Sequence, residues 1–215
     1  MNHNDHIDIT IIGGGLAGLN CAYALHKRLP NKNITVLERG DRVMGLTSSA
    51  STGGFRNFFP NSRAMTNLSN RSIDLLLEYA RASAGTGNEF MMNRCGYVFL
   101  SAQPEQMERY KKQAQAAHEF GSVPSILRWH SGAIRYNGHP YNPEKPAAVF
   151  SSVGFDFELY KTHKDGLDLI DDPAVIRKLV PDSVTKDVRV MFHVRKAGYL
   201  DVEGLGTCHR EELMR

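Results

Sequence analysis

Two short apolar runs, separated by a stretch with helical spacing, occupy the first forty residues. Residues 7–12 (IDITII) are β-branched and end in glycines, which predicts a buried strand of a parallel sheet. Residues 16–29 place Leu16 and Leu19 on one side and end in basic residues, a pattern typical of a helix. Residues 34–38 (ITVLE) predict a second strand. A strand, a helix and a strand in this order predict a right-handed βαβ crossover.

The rest of the chain has weaker periodicity. Residues 39–60 are rich in glycine and hydroxyl side chains, and a loop of this length is usually functional. Residues 131–166 contain several prolines and tyrosines and are expected to form an irregular excursion. Further elements are predicted as follows: helices at 64–82, 104–120 and 172–179, a helix that starts near 201, two short strands within 90–100, and strands at 126–130 and 188–194. Together these elements predict the α/β fold class.

Composition narrows the class of protein. The chain has 215 residues, of which 41% are hydrophobic and 23% charged, as in an ordinary globular protein with a packed core. The net charge is +3 and the basic residues are scattered, so a nucleic-acid-binding surface is not expected. The apolar runs are too short for a membrane span, and the polar residues 1–6 do not resemble a signal peptide.

The three cysteines are Cys21, Cys95 and Cys208, and they lie far apart in the chain. Their number is odd and no pair has C-x-x-C spacing, so neither a disulfide framework nor a zinc site is expected. Reduced thiols are typical of the cytosol, and the sequence therefore predicts a cytoplasmic protein.

The turn after the first strand carries a phosphate-binding pattern. Gly13, Gly15 and Gly18 fit G-x-G-x-x-G, with Leu16 and Ala17 between the second and third glycines. The first glycine allows a tight turn, the second lets a pyrophosphate approach the backbone, and the third lets the helix pack closely on the strands. The N–H groups at the helix start, with the positive end of the helix dipole, favour a phosphate.

Glu38 stands at the end of the second strand, twenty residues after Gly18. A carboxylate at this place accepts hydrogen bonds from ribose hydroxyls, which indicates a dinucleotide. Arg39 would suit a 2′-phosphate, but Glu38 would repel one, so NADP is disfavoured. The spacing does not separate FAD from NAD, and the alternative is a glycine-rich turn of purely structural use.

Three segments resemble the D-amino-acid oxidase family of FAD-dependent oxidoreductases: residues 9–25 (ITIIGGGLAGLNCAYAL), 36–40 (VLERG) and 45–54 (GLTSSASTGG). The resemblance continues more weakly at 96–100, 104–117, 172–181 and 197–201. It implies three parts: an N-terminal portion of the FAD-binding domain over 1–89, part of a mixed α+β substrate domain over 90–200, and the start of a helix that returns to the FAD domain over 201–215. The chain is therefore expected to be the front part of a longer fold.

The resemblance also implies which residues bind the cofactor. Glu38, with Arg39 beside it, would contact the adenosine ribose, and Arg56 would face the flavin and a carboxylate substrate. No histidine lies between Arg39 and His118, so the FAD is expected to be non-covalent. The remaining contacts would come from residues that line the pyrophosphate (Gly13, Gly15, Leu16, Ala17, Gly18), the pyrophosphate and ribityl chain (Ser48, Ser49, Thr52) and the flavin ring (Gly53, Gly54).

The function implied is oxidation of a small amine or amino acid by hydride transfer to the flavin. Two other kinds of function remain open. One is a non-catalytic dinucleotide-binding module, or one subunit of a hetero-oligomeric flavoenzyme whose second chain completes the fold. The other is an NAD-dependent dehydrogenase that uses the same βαβ unit.

Overall fold

The helices and strands come from a computed structural model, which describes residues 6–120, 127–130, 135–136, 150–151, 166–180 and 186–214. The described helices are α1 (Leu16–Arg28), α2 (Arg63–Ser83), α3 (Gln106–Glu119), α4 (Pro173–Leu179) and α5 (Val202–Leu213). The described strands are β1 (Ile9–Ile12), β2 (Ile34–Leu37), β3 (Gly54–Arg56), β4 (Met92–Asn93), β5 (Tyr97–Ser101), β6 (Leu127–His130), β7 (Arg135–Tyr136), β8 (Phe150–Ser151), β9 (Leu167–Ile170), β10 (Val190–Val194) and β11 (Ala197–Leu200). None of the helices in these ranges has the length and apolar content of a membrane span.

The chain divides into two units. The first consists of Met1–Gly54, Leu76–Asn93 and Tyr199–Arg215, and the second of Phe55–Leu75 and Arg94–Gly198. Each unit contains strands and helices, which confirms the α/β class.

In the first unit, β1 and β2 are parallel neighbours joined by α1. Ile9 lies opposite Ile34, and the register continues to Ile12 opposite Leu37. Helix α1 buries Leu19 and Ala22. The βαβ crossover predicted from the apolar pattern is thus confirmed. It could be predicted because the local sequence of each element already favours that element.

Helix α5 also belongs to the first unit, and it begins at a side-chain cap. The side chain of Asp201 caps it by accepting a hydrogen bond from the N–H of Gly204 at 2.9 Å. A carboxylate at this position satisfies an unpaired backbone donor and stabilises the helix start. One side of α5 is buried and carries Val202, Leu205, Gly206, Cys208 and His209.

The second unit is built on a six-stranded sheet with the order β5-β10-β9-β6-β7-β8. Strand β10 is antiparallel to both β5 and β9, whereas β6 is parallel to β9. Every residue of β9 and β10 is buried, as expected for strands covered on both faces. One apolar cluster includes Phe192 and residues of α3, and a second includes Met191 and residues of α4.

The buried strands of the second unit also contain charges. Asp168 is fully buried and accepts hydrogen bonds from Arg195 Nε at 2.6 Å and Nη2 at 3.0 Å. Its Oδ2 atom also lies 3.1 Å from His193 Nδ1. A charge at this depth is tolerated because it is paired and hydrogen-bonded.

Five of the described strands were not predicted from the sequence: β3, β7, β8, β9 and β11. The predicted irregular excursion over 131–166 is wrong at β7 and β8, which pair antiparallel with each other. The rest of that excursion, 131–134, 137–149 and 152–165, lies outside the described residues.

Candidate cofactor site

The turn between β1 and α1 requires glycine at both of its ends. Gly13 has φ of +105°, a conformation that favours glycine, and its N–H donates to the carbonyl of Leu37 at 2.7 Å. A Cβ atom on Gly18 would overlap the carbonyl oxygen of Gly13 far inside van der Waals contact. The backbone of the turn therefore requires the first and third glycines of the pattern, as the sequence predicts.

The first turn of α1 presents backbone donors. The N–H of Leu16 donates to Ser48 Oγ at 3.0 Å, so the loop after β2 supplies a cap to the helix. Among the described residues, no acceptor meets the N–H groups of Gly15, Ala17 or Gly18. Donors left over at a helix N-terminus, together with the helix dipole, fit a phosphate group.

The carboxylate of Glu38 lies against this turn. Its Oε2 atom accepts from the N–H of Gly14 at 2.7 Å, and its Oε1 atom accepts from the N–H of Gly40 at 2.8 Å. Both hydrogen bonds hold the pKa of Glu38 below its ordinary value, and the bond from Gly40 has the larger effect. The carboxylate therefore stays ionised. Each carboxylate oxygen keeps a further acceptor position, which is what two ribose hydroxyls require.

Gly14 was not predicted as a site residue, but its surroundings leave no room for a side chain. A Cβ atom there would lie 2.8 Å from Val43 Cγ1 and 3.3 Å from Glu38 Oε2. The signal was present in the sequence as three consecutive glycines, of which the pattern explains only the outer two.

The loop after β2 is bonded back to the glycine turn. Met44 has φ of 61°, and its N–H donates to the carbonyl of Gly14 at 2.9 Å. Ser49 Oγ donates to the carbonyl of Leu46 at 2.8 Å, whereas Thr52 and Arg39 are exposed. Met44 was not predicted as a site residue because nothing local in the sequence indicates a methionine with a positive φ.

The glycine pair at the end of this loop differs between its two members. Gly53 has φ of +68°, and a Cβ atom on it would overlap the carbonyl oxygen of Leu200. Its own carbonyl accepts from the N–H of Leu200 at 3.1 Å. An added Cβ on Gly54 would meet Thr52 Oγ1 at 3.7 Å, which is ordinary contact. Only at Gly53 does the backbone therefore require glycine. The proximity of Gly53 and Gly54 to a flavin stays a prediction.

Arg56 lies in the second unit and is exposed. The centre of its guanidinium group is 5.2 Å from the ring centroid of Tyr97 and 5.7 Å from that of Phe59. Such cation–π contacts orient the planar group and leave its N–H donors at the edge. The role predicted for Arg56 beside the flavin stays a prediction.

Comparison with known proteins defines the class of this chain. The sequence profile of the family described as FAD dependent oxidoreductase matches residues 8–156, more than half of the chain. The chain therefore belongs to the FAD dependent oxidoreductase (DAO) family, whose cofactor is FAD. The resemblance found in the sequence is confirmed. A search of curated protein sequences finds no match.

Solved structures share the fold. L-proline dehydrogenase from P. horikoshii has a TM-score of 0.65 and 20% identity, with 97% of this chain and 41% of that chain covered. Glycine oxidase from Bacillus cereus has a TM-score of 0.66 and 13% identity, with 97% and 44% covered. L-alpha-glycerophosphate oxidase from Mycoplasma pneumoniae, a structure with FAD bound, has a TM-score of 0.59 and 13% identity. The match covers 96% of this chain and 42% of that chain. The chain spans less than half the length of these relatives.

Proposed function

We propose that this chain binds FAD non-covalently at the β1–α1 turn, as the cofactor-binding part of an amine or amino-acid oxidoreductase. The observation that carries the proposal is the position of the Glu38 carboxylate. It is bonded to Gly14 inside the glycine turn, next to the unpaired N–H groups at the start of α1. An acceptor for ribose beside donors for phosphate matches the adenosine diphosphate half of FAD.

Each residue of the turn has a defined task in this proposal. The N–H groups of Gly15, Ala17 and Gly18 bind the pyrophosphate, with Leu16 beside it in the same turn, and Glu38 accepts from the ribose hydroxyls. Ser48 holds the first turn of α1 through Leu16, and its hydroxyl hydrogen is free to donate to a phosphate oxygen. The other predicted contacts with the cofactor come from Gly13, Arg39, Ser49, Thr52, Gly53 and Gly54.

The proposed reaction is the oxidation of a C–NH bond of a small amine or amino acid. Bound FAD supplies the acceptor for the hydride, and the protein supplies position and exclusion of water. The likeness to glycine oxidase and L-proline dehydrogenase supports this donor class, although L-alpha-glycerophosphate oxidase shares the fold as well. The reaction is a proposal for the whole protein, because this chain spans less than half of those relatives.

We also propose a cytoplasmic location. Cys21, Cys95 and Cys208 are all free thiols, as is usual for proteins in a reducing compartment. Recovery of the protein from cells in a disulfide-linked form would contradict this location.

Replacement of Glu38 by alanine tests the ribose contact. The two hydroxyls lose their charged acceptor, so FAD binding weakens by about 1–3 kcal/mol, or roughly fivefold to 150-fold. Flavin fluorescence titration measures the change. The matched control is Asp41→Ala, which removes an exposed carboxylate three residues further along the chain and leaves affinity unchanged. Equal affinities of wild type and the Glu38 variant would contradict the assignment.

A non-covalent cofactor is released by denaturation. No histidine lies between Arg39 and His118, and the loop of residues 41–54 contains neither histidine nor cysteine for a covalent flavin bond. Acid precipitation of the FAD-loaded protein is expected to leave the yellow colour in the supernatant. Flavin that remained in the pellet and was mapped to a peptide of this chain would overturn the expectation.

Arg56→Lys tests the proposed contact with a substrate carboxylate. Lysine keeps the charge but loses the planar pair of donors, so in the complete enzyme kcat/KM falls about tenfold or more for amino acids and less for neutral amines. The control is Arg63→Lys, since Arg63 is also an exposed arginine over an aromatic ring, 5.1 Å from that of Phe120. Equal losses on both substrate types would remove Arg56 from this role.

A further inference from the structure

Two residues on the buried side of α5, Gly206 and His209, lie three positions apart and therefore share one face of the helix. Each meets a side chain that belongs to the glycine-turn region, Met44 for Gly206 and Asn20 for His209. We infer that α5 is the positioning element of the cofactor site, and that it acts through these two contacts. The inference rests on the proposed binding of FAD at the β1–α1 turn and assigns that site residues outside the glycine pattern.

The contact between Asn20 and His209 leads directly to the first turn of α1. Asn20 Nδ2 donates to the carbonyl of Leu16 at 2.8 Å, so the amide oxygen of Asn20 faces the other way. That oxygen lies 2.7 Å from His209 Nε2, which must therefore carry a hydrogen and donate it. Leu16 is the same residue whose N–H is held by Ser48. Its two backbone polar groups are thus fixed from two sides.

The ring of His209 is held in place by two tyrosines. Its centroid is 4.5 Å from that of Tyr23, at an interplanar angle of 30°, and 4.8 Å from that of Tyr79, at 18°. His209 is only 2% exposed, and this burial lowers its pKa to about 4. The ring is therefore neutral at ordinary pH, with Nε2 as its only donor, and that donor is used by Asn20.

The contact between Met44 and Gly206 fixes the loop on the other side of the site. Met44 is 6% exposed, and its side chain fills the space that a Cβ atom on Gly206 would need, 2.6 Å from its Cγ. The N–H of Met44 donates to the carbonyl of Gly14, the residue that donates to Glu38. Helix α5 therefore reaches the ribose side of the site through Met44 and the phosphate side through Asn20.

The substitution His209→Phe tests the first contact. Phenylalanine keeps a flat ring against the two tyrosines but has no donor for Asn20, so the fold is retained and the first turn of α1 is released. We expect FAD affinity to fall about fivefold to tenfold, the loss typical of one hydrogen bond. In the cofactor-free protein, amide hydrogen exchange of residues 15–20 rises at the same time. Thr207→Ala, on the exposed side of the same helix, changes neither quantity.

Asn20→Ala and the double variant complete a cycle. If the two residues act through one hydrogen bond, the double variant weakens FAD binding no more than Asn20→Ala alone. Additive losses, or wild-type affinity and exchange in His209→Phe, would overturn the inference. Should the phenylalanine variant fail to fold, Asn20→Ala with the same exchange measurement decides the question.

A rescue experiment tests the second contact. Gly206→Ala forces Met44 to move, and FAD affinity falls about tenfold. In that background Met44→Ala removes the collision and recovers a large part of the affinity, although each change alone weakens binding. A double variant that binds no better than Gly206→Ala would contradict the role of Met44. The variants test the role of α5 and not the proposed function. Failure of the wild-type protein to bind FAD would overturn the proposed function itself.

Discussion

Gly18→Ala is expected to abolish measurable FAD binding, a loss of about 100-fold or more. The added Cβ would overlap the carbonyl oxygen of Gly13, and both partners belong to the backbone. No side-chain rotation relieves the collision, so the strand–turn–helix junction must open. Opening moves the N–H groups of Gly15, Ala17 and Gly18 away from the geometry that binds a pyrophosphate. Circular dichroism and flavin fluorescence titration measure the fold and the affinity separately.

Gly40→Ala is the matched control for this change. It lies in the same unit, and an added Cβ would meet Glu38 Oε1 at 3.5 Å and the carbonyl of Arg42 at 3.8 Å, both ordinary contacts. The variant keeps its N–H and is expected to bind FAD like wild type. Binding by Gly18→Ala within about threefold of wild type would show that the turn does not hold the pyrophosphate.

Acid is expected to destabilise the protein through His209. Burial lowers the pKa of this histidine from its ordinary value of 6.5 to about 4 in the folded chain. The unfolded chain therefore takes up the proton first as pH falls below about 6.5, and folding stability decreases until the folded pKa is reached. Between about pH 7 and pH 4.5 the cost is roughly 2 kcal/mol.

His209→Phe isolates this contribution, because phenylalanine does not titrate. The carboxylate of Glu38 and the ion pair of Lys27 with Glu212 near Tyr23 are present in both proteins, so their contributions cancel in the difference. Urea unfolding at the two pH values is expected to show a smaller loss for the variant by roughly 2 kcal/mol. Identical losses for both proteins would mean that His209 takes up its proton without cost in the folded state.

The sequence was sufficient for elements whose pattern is local. The βαβ unit was predicted because β1, α1 and β2 each have the periodicity of their own structure and the turn has its own glycines. Strand β9 was missed because Asp168 interrupts its apolar run, and that charge is tolerated only through Arg195 and His193, which are distant in sequence. Strand β3 was missed because it is short, and its C-terminal neighbour Asn57 is held by the carbonyl of Lys196.

The same distinction applies to the site. The glycine pattern and Glu38 were predicted because their spacing is itself the signal. The contacts of Met44 with Gly206 and of Asn20 with His209 were not, since each joins residues more than 150 positions apart in the chain. Helix α5 was expected as an element, but no feature of its sequence shows which loop it holds. The roles of Arg56 and of residues 48–54 stay predictions.

A titration of the purified chain with FAD, repeated with NAD as competitor, tests the central claim most directly. Flavin fluorescence reports the bound fraction, and the unfolding temperature measured with each ligand provides an independent signal. We predict that FAD saturates a single site per chain and that NAD displaces it only in large excess. Tighter binding of NAD than of FAD, or no shift with either dinucleotide, would contradict the assignment of the glycine turn and Glu38 to FAD.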